Sequence, residues 1–307
     1  GKLRMKNPFQ SLWNKLRRFF LFRRLVLSFF ALSLICVLFI CGVLFMIFEN
    51  STKRELEYMA TPKLDRTNSA VTQTVSSLIP VMNHVLSLSY TETFFYGSQL
   101  NRINEQNVLI RLRQLQNSYD QIHNISLINF NNERFLGTQG VATGYVPEIL
   151  SGEEPELGTA YGMRYYKRET PRNINIDHTA AEAVITFIYT PKGLYSHGAV
   201  IIDVKMSYLE QVLHVNTEED WGKVLFVNRS GQVIAGDGEA VTPEELREIL
   251  HQEPGSYVEQ LGGQKSFIPF TESDTPDCFV VLALPYKRLL PFAASLRQGP
   301  TCAVLLL

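Results

Sequence analysis

The sequence predicts an α+β protein: an N-terminal transmembrane helix, a long stalk helix, then two modules built on antiparallel sheets. Three observations predict it. Residues 25–48 form a run of 24 residues without a charge. The apolar residues after the run recur at helical spacing to about residue 119. Beyond that the period changes to the two-residue alternation of half-buried strands, punctuated by turn residues.

The chain is near neutral, with 29 Lys and Arg against 30 Asp and Glu. That balance hides an asymmetry. Residues 1–48 hold eight basic residues and no acidic one, which leaves 21 basic against 30 acidic residues in the remainder, a net of −9. A basic head and an acidic body belong to different compartments. Leu25–Phe48 is long and apolar enough to span a bilayer, which takes about 20 residues. A cleavable signal peptide has a shorter apolar core and a small-x-small cleavage site, and Phe48-Glu49-Asn50 offers none. Lys15, Arg17, Arg18, Arg23 and Arg24 precede the run, so the positive-inside rule orients it. Residues 1–24 form a basic cytoplasmic N-terminus, residues 25–48 the span, and everything from Glu49 lies outside the plasma membrane. Trp13, Phe19, Phe20 and Phe22 fall at the inner interface.

The stalk follows from Leu56, Met59, Leu64, Val71, Val75, Leu78, Met82 and Val85, with Pro62 and Pro80 expected to kink it or end segments. Residues 90–101, rich in Tyr, Phe, Thr and Gly, break it, and a second helix covers 105–118. Strands are predicted over 122–130, 134–138, 163–167, 183–190 and 198–205, with 148–158 as loop or short helix. Residues 206–214 return to helical period. Strand and return strand are predicted over 223–228 and 232–235. Thr242 caps a short helix with Pro243 at its first position, and strands follow over 255–260, 264–269 and 278–284.

Three stretches in this order, behind an N-terminal span, resemble the double Cache fold, the paired PAS-like sensor modules of bacterial receptors. They are GAVIIDVKMSYLEQVL (198–213), KVLFVNRSGQVIA (223–235) and CFVVLALPYKRLL (278–290). The resemblance implies a stalk helix and membrane-distal module over 49–215 and a membrane-proximal module over 216–290. LFRRLVLSFFALSL (21–34) and ISLINFNNERFLGTQG (125–140) resemble the sensor halves of Paenibacillus-type membrane-bound AraC-family transcriptional regulators. YesM-like sensor histidine kinases share this sensor, and residues 131–140 favour the AraC type. Residues 291–307 read as the start of a second membrane segment in a truncated or frame-broken chain. Arg297-Gln298-Gly299-Pro300 interrupts that segment, and Met5 is the natural start. No output module follows in the chain as given. A membrane-tethered structural protein without signalling is the remaining alternative.

No catalytic pattern occurs: the six His are scattered, and there is no HExxH, GxSxG, phosphate-binding glycine frame or CxxC. Cys36 and Cys41 lie in the apolar run, Cys278 alone in the body and Cys302 near the end. The expectation is therefore a non-enzyme with no cofactor, metal site or disulfide framework. A ligand site is expected in the first module, with aromatics and a few convergent polar groups at Tyr161, Arg164, Tyr165, Tyr166, Tyr189 and Asp203. In amino-acid-binding double Cache domains, an Arg near paired aromatics grips the ligand carboxylate and an Asp on the closing strand grips the amine. The resemblance places Arg164 and Asp203 in those roles, although Arg-Tyr-Tyr departs from the family's Arg-x-Trp-Tyr. The implied partners are a sugar or amino-acid-like small molecule, the lipid bilayer and a second copy through the stalk helix. This chain itself contacts no nucleic acid.

Overall fold

The structure is a computed structural model that describes residues 8–96, 102–138, 140–143, 155–170, 182–191, 197–215, 222–238 and 241–285. The expected second membrane segment, the start at Met5, Cys302 and most of the acidic loop after residue 148 lie outside these residues. So do the side chains of Arg17, Arg18 and Arg23. The chain divides into two compact units, residues 1–56 and 57–307.

Helix α1 (Pro8–Ser76) carries the apolar run. Its most apolar 18-residue window has a mean hydropathy of 2.9, and the residues from Val26 to Ile47 are exposed. By length and composition it is able to cross a membrane. Pro62 sits inside α1 without ending it. The break comes at Ser77, before α2 (Leu78–Ser87). Pro80 lacks the N–H that would reach the Ser76 carbonyl, and the Ser77 hydroxyl turns back to Thr74 O at 2.7 Å. Leu64, Val71, Val75, Leu78, Met82 and Val85 are buried as their spacing predicts. The segment expected to break the helix begins with Tyr90 in the left-handed region (φ 74). It then refolds into a short helix, α3 (Thr91–Tyr96), which buries Phe94 and Phe95. Helix α4 spans Arg102–Asn117.

A seven-stranded antiparallel sheet follows. Its strands are β1 (Ile122–Asn129), β2 (Arg134–Gly137), β3 (Gly140–Thr143), β4 (Gly158–Ala160), β5 (Met163–Glu169), β6 (Ala183–Tyr189) and β7 (Gly198–Lys205). Their spatial order is β3-β2-β1-β7-β6-β5-β4. Strand β7 is central and covered on both faces, which is why GAVIIDVK reads as a nearly continuous apolar run. Asp203 is its one acidic residue.

Helix α5 (Met206–Val215) leads to a five-stranded antiparallel sheet. It comprises β8 (Lys223–Asn228), β9 (Val233–Gly236), β10 (Gly255–Leu261), β11 (Gln264–Glu272) and β12 (Cys278–Pro285), ordered β10-β11-β12-β8-β9. Helix α6 (Pro243–Leu250) packs Leu246, Ile249 and Leu250 into the cluster around Leu225, Val281 and Ile268. Its start is a complete capping box. Glu245 N–H donates to Thr242 Oγ1 at 3.4 Å, and Thr242 N–H donates to Glu245 Oε2 at 3.1 Å. Gly262 N–H also donates to Glu245 Oε2, tying α6 to the β10–β11 turn, and these backbone donors hold the Glu245 carboxyl below its usual range. Thr242→Ala is expected to cost about 1 kcal/mol, read as a lower urea midpoint at unchanged slope.

Candidate functional site

Cross-strand register decides which candidate side chains share a face. Thr186 pairs with Asp203, Asn124 with Asp203, and Tyr166 with Thr186. These four residues therefore form one row across β1, β7, β6 and β5 on one face of the seven-stranded sheet. The next row on that face runs Ser126, Ile201, Ile188 and Arg164. Arg168 follows two residues after Tyr166 on β5 and shares the face by alternation.

The row is a connected polar network. Asp203, only 1 % exposed, accepts at Oδ1 from Thr186 Oγ1 (2.6 Å) and Arg168 Nη2 (3.0 Å), and at Oδ2 from Asn124 Nδ2 (3.1 Å). Arg168 Nε also donates to Thr186 Oγ1 at 2.7 Å. Asn124 Nδ2 donates in addition to Ser126 Oγ at 2.8 Å, and Thr138 Oγ1 donates to Asn124 Oδ1 at 2.7 Å. A buried carboxylate is tolerated only when paired and hydrogen-bonded in this way. Beside the network, Tyr166 packs with Ile128, Ile188, Ala199 and Ile201. Its hydroxyl donates to Glu156 Oε2 at 3.4 Å. Burial pushes the Tyr166 phenol up, against the opposing pull of Arg164. Arg164 is exposed.

Of the six sequence candidates, the structure brings Arg164, Tyr166 and Asp203 onto one face. It places Tyr165 and Tyr189 on the opposite face, in register with Phe187 and Val200. Tyr165 stacks at a tilt on Phe187 (5.8 Å) and shares a hydrogen bond with Cys278 Sγ on β12, at 3.3 Å. The two sheets meet there around a cavity of about 10 Å³ whose lining includes Val75, Leu209, Phe226 and Thr275. That volume holds at most about one water, so the side occupied by Tyr165 is packed core. Tyr161 takes the left-handed conformation (φ 52) in the β4–β5 turn, and its hydroxyl donates to Asp274 O at 3.4 Å.

Three residues of the network around Asp203 escaped the sequence reading. Alternation in MRYYKRE puts Arg168 on the face of Arg164 and Tyr166, but its contact with Asp203, like the places of Thr186 and Asn124, depends on register.

The Tyr165–Cys278 contact sets an alkaline limit. Burial pushes the Cys278 thiol up to about 11 and raises the Tyr165 phenol as well. The folded state thus favours the protonated forms. That stability is complete below the unfolded thiol's ordinary range near 9 and is lost as pH rises through the folded value. Stability is expected to decline between about pH 9 and 11, and Cys278→Ala to flatten that decline in a series of melting curves.

No protein-family profile and no curated protein matches the sequence. Solved structures do. The ligand-binding domain of the Pseudomonas aeruginosa amino acid chemoreceptor PctB, in complex with L-Arg, superposes with a TM-score of 0.53 at 14% identity. That match covers 76% of this chain and 97% of that one. The ligand-binding domain of the Pseudomonas fluorescens chemoreceptor CtaA, in complex with L-isoleucine, gives 0.53 at 14% identity over 79% and 98%. The extracellular domain of vpHK1S-Z8, described as a histidine kinase, gives 0.52 at 12% identity over 83% and 99%. At these identities the shared property is the fold: a long N-terminal helix followed by two antiparallel sheets, as in bacterial sensory domains.

Proposed function

We propose that this chain is the extracytoplasmic ligand-sensing region of a membrane-bound bacterial receptor. In this reading α1 crosses the plasma membrane with its N-terminus in the cytoplasm, the chain forms a homodimer through its stalk helix, and it catalyses no reaction. The signal passes to an AraC-type DNA-binding module. The observation that supports sensing is the double-sheet sensory fold behind a spanning-length apolar helix, with Arg164, Tyr166 and Asp203 on one face of the first sheet. A histidine kinase output is the second reading, favoured by the likeness to vpHK1S-Z8. The gene sequence downstream of Leu307 separates the two outputs.

Sensing needs a ligand with different affinity for two arrangements of the protein. The test is a thermal-shift screen of the full chain in detergent against sugars, amino acids and organic acids. A ligand at a hundred times its Kd stabilises by about 2.7 kcal/mol, a rise of several degrees, and Arg164→Ala should abolish it. A flat response to every compound refutes sensing. Protease added to intact spheroplasts should digest residues 57–285; their survival refutes the orientation.

A further inference from the structure

We infer that the ligand of this face is a small organic anion without an ammonium group, because Arg168 already supplies the cation that Asp203 requires. The inference rests on the ligand-sensing reading above and narrows it.

Both oxygens of Asp203 are engaged by the protein: Oδ1 by Thr186 and Arg168, Oδ2 by Asn124. Arg168 is fixed twice over, by Nη2 on Asp203 and by Nε on Thr186. The side chains are 15% and 2% exposed, so this is a buried pair. A ligand ammonium reaching Asp203 would compete with the guanidinium that already balances its charge, and displacing that guanidinium would leave a largely buried cation without its carboxylate. That is among the costlier events in a protein interior. The network is neutral and self-sufficient, and it behaves as a wall of the site.

Two further cations lie on the face: Lys205, two residues after Asp203 on β7, and Arg164 beside Tyr166, which has no ion-pair partner among the described residues. A guanidinium presents a planar fork that matches a carboxylate in two parallel hydrogen bonds. Tyr166, Ile188 and Ile201 form a buried apolar cluster beside it. The other acidic group nearby is Glu156. It is exposed, accepts from Tyr166 and from Thr159 Oγ1 (3.2 Å), and its charge is screened by solvent. Among the described residues the face therefore offers two cations, Arg164 and Lys205, and no unengaged buried anion for an ammonium.

The test uses matched pairs that differ only in the amine: L-valine against isovalerate, L-glutamate against glutarate, and L-alanine against propionate, with D-glucose as a neutral probe. Each is titrated into the full chain in detergent and followed by melting temperature and calorimetry. At least one des-amino acid should bind about tenfold or more tighter than its amino acid. Arg164→Gln should abolish that binding. Arg168→Met should erase or reverse the preference by freeing Asp203 for an ammonium. Arg168→Lys, which keeps the internal cation, should preserve it and serves if Arg168→Met does not fold. Equal or tighter binding of the amino acids, or binding of glucose alone, overturns the inference and leaves sensing intact. No shift with any probe overturns it together with the sensing reading.

Discussion

Asp203→Ala is expected to destabilise the protein by about 3–5 kcal/mol, the cost of leaving one member of a buried ion pair alone. Three donors would lose their acceptor at once: Arg168 Nη2, Thr186 Oγ1 and Asn124 Nδ2. Of these, the guanidinium is the costly one, because its charge remains while its side chain stays only 15% exposed. For a domain of this size the melting temperature should fall on the order of 10 °C. The double substitution Arg168→Met with Asp203→Leu removes both charges and keeps apolar volume, so it should cost clearly less than Asp203→Ala alone. A single-substitution loss below about 1 kcal/mol would mean that the pair is open to solvent, contrary to its geometry.

Phe95→Ala is expected to cost about 3–5 kcal/mol, the lost transfer energy plus that of the cavity left behind. Phe95 is fully buried in α3 and meets Phe94 edge-on, with ring centroids 5.8 Å apart. Its ring lies over Gly198 at the start of β7, where an added Cβ would strike both the ring and the Ile128 carbonyl. Asn129 Nδ2 donates to Phe94 O (2.6 Å) and Phe95 O (3.3 Å), satisfying carbonyls that a six-residue helix leaves open. Gly198→Ala should cost about 1–3 kcal/mol by overpacking. Combining it with Phe95→Ala should not restore stability, because the Ile128 backbone remains in the way. Urea unfolding of the two single variants and the double variant measures this coupling. Full rescue would show that the ring alone limits position 198.

The sequence was legible where one signal dominated. GAVIIDVK predicts β7 with the bounds it adopts, since a strand covered on both faces needs no partner to declare itself. Thr242-Pro243-Glu244-Glu245 predicts α6, because capping is local chemistry. Strand β4 was hidden by its three-residue length, and α3 by Tyr90, whose positive φ ends one helix turn and starts another. The site was half legible for the same reason. Arg164 and Asp203 stand out as residue types. The network that fixes Asp203 was out of reach because it joins residues 79 and 35 positions apart, Asn124 and Arg168. Tyr165 drew attention as a neighbour of Arg164, yet alternation sends it to the other side of the sheet.

That alternation makes Tyr165 an index pin. A slip of β5 by one position would carry Arg164, Tyr166 and Arg168 to the packed side and present Tyr165 in their stead. The β4–β5 turn at Tyr161 and Gly162, both at positive φ, spans only two residues and leaves no slack to absorb such a slip. The Tyr165 hydroxyl is anchored to Cys278 on a different sheet. A side chain on one face of the sheet thus guarantees which side chains occupy the other.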